Sequence, residues 1–96
     1  MKVICPPNFV REALAQAGPV RDGLSKLLRM AGELTFAELL RHQGVHLEKL
    51  TGKMDPVIKK PLYSLRATRA TRVIAMVDGD SLVLLSVVAD HDKAYD

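Results

Sequence analysis

The chain is short of the residues that mark several common protein classes. Its single cysteine, Cys5, excludes an internal disulfide framework. No apolar run approaches the roughly 20 residues needed to span a membrane as a helix. No charged start leads into a signal-length apolar stretch. The longest apolar run, around "SLVLLSVVA", has the length of a strand. There is no internal repeat and no low-complexity tract. These absences lead to the expectation of a soluble, cytoplasmic protein without a membrane partner. Acidic residues are nearly missing from residues 53–72, which hold six Lys/Arg and one Asp.

What is present is enough for one small domain over residues 1–96, with 48% hydrophobic residues to build a core. The net charge of +3 is modest, but its distribution is not even. Residues 73–96 carry one lysine and five aspartates, so the positive charge gathers just before the last strands. A basic patch of this kind concentrates polyanions near the surface and is the electrostatic footprint of nucleic-acid binding. The plainer alternative is a solvated charged face.

The chain opens with "KVIC", a short strand stopped by Pro6-Pro7, with Cys5 expected in the core. Asn8 suits a helix N-cap, and Phe9, Ala13, Leu14 and Ala17 recur at helical spacing. Pro19 suits the first turn of a second helix. That helix has an apolar stripe of Val20, Leu24, Leu27, Leu28 and Ala31 and is closed by Gly32. "TFAE", from Thr35 to Glu38, has the form of a capping box and predicts a third short helix to about Arg41. From residue 61 the pattern becomes that of strands. "PLYSLRAT" alternates, and "TRVIAMV" and "SLVLLSVVA" are β-branched and apolar, with Asp78-Gly79 as a hairpin turn between them. The predicted order is β-α-α-(α)-β-β-β. This is an α+β fold with helices on one face of a mostly antiparallel sheet. The last strand, apolar at both parities, is expected to be interior and covered on both sides.

Within this frame "SLRATRATRV" becomes a hairpin. Arg66 lies near the end of one strand, Arg69 in the connection and Arg72 at the start of the next, so three guanidiniums gather at one end. Arg69 has the position of a solvated turn residue. Lys53, Lys59 and Lys60 add positive charge upstream. His42 and His46 have the i, i+4 spacing of zinc ligands on one helix. Gly44 between them breaks the helix and no third ligand is near, so no metal site is expected. Tyr63, Phe9 and Phe36 are expected in the core.

The ordered series from "HLEKLTGK" to "DHDKAY" resembles the second half of the RelE/YoeB/ParE superfamily of toxins, the toxin halves of bacterial toxin–antitoxin pairs. The features that carry the resemblance are Leu47, Leu50 and Gly52; Tyr63 and Arg66; Arg72-Val73-Ile74; Asp78-Gly79; Leu82 to Ala89; and His91 with Tyr95. The resemblance implies the small β-α-α-β-β-β fold and a cognate antitoxin as partner. It further implies ribosome-dependent cleavage of messenger RNA. On that reading Arg66 contacts RNA phosphate and Arg72 stands at the scissile phosphate. His91 and Tyr95 supply a general acid or base and a stacking aromatic. Lys53, Lys59, Lys60 and Arg69 steer the RNA. The chain departs from the family where several members carry a glutamate or a lysine pair, at positions that here hold Ser64 and Leu62. The chemistry is coherent without a metal or cofactor. A 2′-hydroxyl attacks, a base takes its proton, a cation steadies the phosphorane and an acid protonates the leaving oxygen. Two other readings share the fold: a ParE-like inhibitor of DNA gyrase, and a non-catalytic RelE-like binding module.

Overall fold

The computed structural model describes residues 1–54 and 59–89, of which 51–54 are described in their backbone only. The elements are β1 (Lys2–Ile4), α1 (Pro7–Leu14), α2 (Gly18–Glu33), α3 (Phe36–Arg41), β2 (Glu48–Met54), β3 (Pro61–Arg66), β4 (Arg72–Asp78) and β5 (Ser81–Val88). The five strands form one sheet in the order β1-β5-β4-β3-β2. β1 runs parallel to β5 and every other pairing is antiparallel. The α+β arrangement is the one expected, with one strand more. That strand, β2, comes from "EKLTGKM", whose polar residues and glycine carry little β signal. It lies at the sheet edge, where charged side chains and irregular pairing are normal. Its register with β3 shifts between Lys49 and Met54.

Several local expectations change for physical reasons. α1 begins at Pro7 with Pro6 as N-cap, because proline at the first helical position loses no hydrogen bond. Asn8 therefore lies inside the first turn, where its Oδ1 accepts a hydrogen bond from Arg11 Nη2 at 2.6 Å. Cys5 lies just past β1 and is exposed, not in the core. Gly32 does not close α2, which runs on to Glu33 and ends at an extended Leu34. α2 has no basic side chain in its last turn. The Met1 ammonium fills that role, donating to the carbonyls of Ala31 at 3.2 Å and of Leu34. A positive charge there satisfies orphan carbonyls and opposes the helix dipole.

The predicted capping box is present at α3. Thr35 Oγ1 accepts from the Glu38 amide at 3.2 Å, and Glu38 Oε1 accepts from the Thr35 amide at 2.9 Å. The hydrogen bond from the Thr35 amide is the main reason the Glu38 carboxyl titrates below its ordinary range.

The core is one cluster in which Phe9, Leu24, Leu27, Ala31 and Leu39 meet Leu65, Val73, Ala75, Leu82 and Leu84. Phe36 and Tyr63 are only half-buried and pack edge to face with centroids 5.7 Å apart. β5 is interior in the sheet, as expected. Its apolar character at both parities has a specific cause. Ile74 pairs with Ser86 but Ala75 pairs with Leu84, so Leu85 is an extra residue. This bulge reverses the alternation, and Leu82 and Leu84 before it share a face with Val87 after it. The opposite-face residues Val83 and Val88 are half-buried rather than enclosed. The β4–β5 turn is centred one residue later than expected, on Gly79-Asp80, because Asp78 and Ser81 are paired. Gly79 takes φ 60, the left-handed conformation that a two-residue hairpin turn requires at its first central position.

Candidate functional site

β3 and β4 are held in continuous register from Leu62↔Met76 to Arg66↔Arg72. The two arginines are therefore direct cross-strand partners at the open end of the hairpin. Pairing also fixes their face. Leu65, Val73 and Ala75 point to the helices, so Ser64, Arg66, Arg72 and Ile74 share the other side of the sheet. The connection over residues 67–71 is tied by Ala67 N–H to Thr71 O at 3.0 Å and by reciprocal bonds between Thr68 and Thr71 at 3.3 Å. On its other flank the Arg66 amide donates to Val45 O at 2.6 Å. Backbone bonding thus fixes where both guanidiniums start.

Like charges opposite each other on a sheet repel, and a buried cation is costly unless it is paired. Arg72 is only 4% exposed. Its Nε and Nη1 have no hydrogen-bond partner among the described residues, nor do Arg66 Nε and Ser64 Oγ. The salt bridges among the described residues are His46 with Glu48 and Lys60 with Asp78, and neither involves this pair. The arrangement is a cluster of unmet donors on one sheet face. Chemically it is suited to an anion with several oxygens, since guanidinium forks match phosphate and carboxylate geometry.

The other basic residues do not all converge on this end. Arg69 is exposed in the connection. Lys59 is exposed with φ 64, and Lys60 lies 3.5 Å from Asp78. Both stand at the start of β3, roughly 20 Å along the strand from Arg66 at the usual rise per residue. The backbone at Lys53 lies in β2 near that same end, since Met54 pairs with Pro61. His91 and Tyr95 lie outside the described residues. His42 and His46 do not share a helix, although the His46 amide donates to His42 O at 3.1 Å. His42 ends α3 and its Nδ1 accepts from the Val45 amide at 3.2 Å, while His46 Nε2 contacts Glu48 at 2.8 Å. No group of three metal-binding side chains occurs among the described residues.

Sequence reasoning missed the contribution of α2. Gly23 faces the hairpin connection so closely that a Cβ there would lie 2.6 Å from Ala67 O and 2.6 Å from Thr68 Cγ2. The available signal was a glycine in the middle of an otherwise regular helical stripe, which has a packing reason more often than not.

No protein-family model and no curated protein matches the chain by sequence. Solved structures do match. A chain of the RelB–RelE antitoxin–toxin complex from Methanococcus jannaschii aligns over 97% of this chain and 95% of its own, with TM-score 0.68 and 15% identity. One from the archaeal RelE–RelB complex of Pyrococcus horikoshii OT3 covers 92% of each chain, with TM-score 0.66 and 17% identity. One from the YoeB–YefM toxin–antitoxin complex of Staphylococcus aureus aligns over 90% and 92%, with TM-score 0.57 and 16% identity. The fold is thus the one found in chains of these toxin–antitoxin complexes, a RelE-like architecture that extends along nearly the whole chain. No helix among the described residues is long and apolar enough to cross a membrane.

Proposed function

We propose that this chain is a RelE-type toxin that cleaves messenger RNA on the ribosome and is neutralised by a cognate antitoxin. The observation that carries the reading is the Arg66–Arg72 pair: two cross-strand guanidiniums on one face, with buried nitrogens that lack partners among the described residues. A phosphodiester supplies the missing acceptors. As the 2′-hydroxyl attacks, charge builds on the phosphorane oxygens, where preorganised cations stabilise the transition state more than the ground state. Arg72, the more deeply buried, takes the scissile phosphate, and Arg66 holds the strand. The proton transfers fall to His91, with Tyr95 stacking on a base, as the family resemblance implies. Lys53, Lys59, Lys60 and Arg69 provide general attraction to RNA rather than contacts at the reacting atoms. An acidic antitoxin segment that folds over the same face would satisfy the same donors and silence the protein.

The test is controlled expression of the wild type, Arg72→Ala and His91→Ala, with growth followed and primer extension run on a reporter messenger RNA. Growth arrest with new cleavage ends in the wild type, lost in both variants, is expected. Arrest without new ends would replace cleavage by inhibition of a different target, such as DNA gyrase. No arrest at good expression would reduce the role of the pair to binding.

A further inference from the structure

Around the hairpin from the arginine pair, α2 and the end of β3 enclose a cleft of about 180 Å³. Lys26, Leu27 and Met30 line it from α2, His42 from the end of α3, and Arg66 and Ala67 from the hairpin. Three of these are basic, and no carboxylate lines the cleft among the described residues. Neither Lys26 nor Arg66 takes part in a salt bridge among the described residues. The orientation of His42 is set from behind. Its Nδ1 accepts the Val45 amide, so the neutral ring carries its proton on Nε2 and offers a donor. Arg66 Nε is buried with no partner among the described residues. The basic lining thus supplies donors beside an apolar wall of Leu27 and Met30. An anion rich in oxygen acceptors is the chemical complement.

Arg66 belongs to both this cleft and the cross-strand pair. The cleft therefore adjoins the end of the hairpin that carries the pair, on the helix side of the sheet. We propose that the cleft is a second phosphate subsite, and that it takes the phosphodiester neighbouring the one held at Arg66 and Arg72. Lys26 is its principal ligand from the helical side. The proposal rests on the RNA-binding reading given above. It extends the RNA track from the sheet face across the hairpin onto α2. The occupant is single-stranded RNA rather than an acidic peptide, because a lone cleft this small holds one anionic group and gains through continuity with a second.

The test uses the purified protein and a fluorescently labelled oligoribonucleotide made non-cleavable by 2′-O-methylation. Anisotropy titrations over a salt series compare the wild type, Lys26→Ala, Lys26→Arg and Arg72→Ala. Lys26 is exposed, so its variants keep the fold. Lys26→Ala is expected to weaken binding by about 3- to 10-fold and to lower the log–log salt slope by ~0.7, the value for one lost phosphate contact on a single strand. Lys26→Arg retains both. An unchanged affinity and slope in Lys26→Ala, with binding weakened in Arg72→Ala, would overturn the subsite and leave the arginine pair standing. Unchanged binding in Arg72→Ala would instead remove the RNA reading on which the subsite depends. Competition by 5′-AMP as effective as by the oligonucleotide would assign the cleft to a free nucleotide and refute a strand track. Lys26-dependent binding of a poly-glutamate peptide in preference to RNA would likewise overturn it.

Discussion

Substituting Gly23 by alanine isolates the contact that seats the hairpin connection on α2. A Cβ at this position would lie 2.6 Å from the Ala67 carbonyl oxygen and from Thr68 Cγ2, about 1 Å inside ordinary van der Waals separation. The oxygen belongs to the backbone and is held in place, since the Ala67 amide is bonded to Thr71 O. It cannot swing away as a flexible side chain would. Two opposing effects set the sign. Alanine removes the helix-interior penalty of glycine, a gain of up to ~1 kcal/mol. Overpacking costs about 1–3 kcal/mol. Gly32 provides the control within the same helix, because a Cβ there meets nothing within 4 Å. Gly32→Ala should therefore raise stability by about 0.5–1 kcal/mol, while Gly23→Ala should lower it by up to ~2 kcal/mol. For a domain of this size each kcal/mol moves the Tm by about 4–8 °C, so thermal unfolding should separate the two variants by about 2 °C at the least and by more than ~10 °C at the upper end of these costs. Adding Thr68→Ser to Gly23→Ala relieves the methyl contact but not the carbonyl contact, and should recover only part of the loss. Because residues 67–71 join Arg66 to Arg72, Gly23→Ala should also weaken RNA binding in the folded protein. Equal Tm increases for Gly23→Ala and Gly32→Ala would refute the close-packing account.

Arg72→Met removes a buried charge whose Nε and Nη1 lack partners among the described residues. It should leave stability unchanged or raise it by up to ~3 kcal/mol in urea unfolding while abolishing RNA binding; a large destabilisation would show that the charge is satisfied in the free protein. The Glu38 carboxyl titrates below its ordinary value in the folded state, so it contributes stability above the unfolded pKa and loses it as pH falls through the folded one. The stability difference between the wild type and Glu38→Gln should thus shrink on acidification below the model-peptide carboxylate range, and a constant difference in pH-dependent melting would contradict the capping box. Gly79→Ala places a side chain at φ 60 and should cost about 1–2 kcal/mol, with Gly79→Asn costing less, as read from denaturant midpoints.

The helices and the last three strands were legible because they obey local rules. An apolar stripe at 3.6 spacing, a Thr-x-x-Glu box and a glycine at a turn each act within a few residues of themselves. β2 was not legible, because an edge strand rich in polar residues owes its form to the partner it pairs with. The bulge at Leu85 was hidden for a similar reason. A run apolar at both parities suits a strand enclosed on both sides as well as one that switches parity midway, and only the pairing with β4 distinguishes them.

The candidate site divides in the same way. The sequence by itself determined that arginines sit at the two ends of a short hairpin connection, since strand pattern and charge are both local properties. Tertiary structure alone decided that Arg66 and Arg72 are direct partners, that Arg72 is buried, and that Lys59 and Lys60 stand at the far end. It also brought Lys26, His42 and Gly23 to the same hairpin from distant parts of the chain. Register and burial depend on what packs across the sheet. A guanidinium's burial is decided by the fold around it, as at Arg72, which has no salt bridge among the described residues.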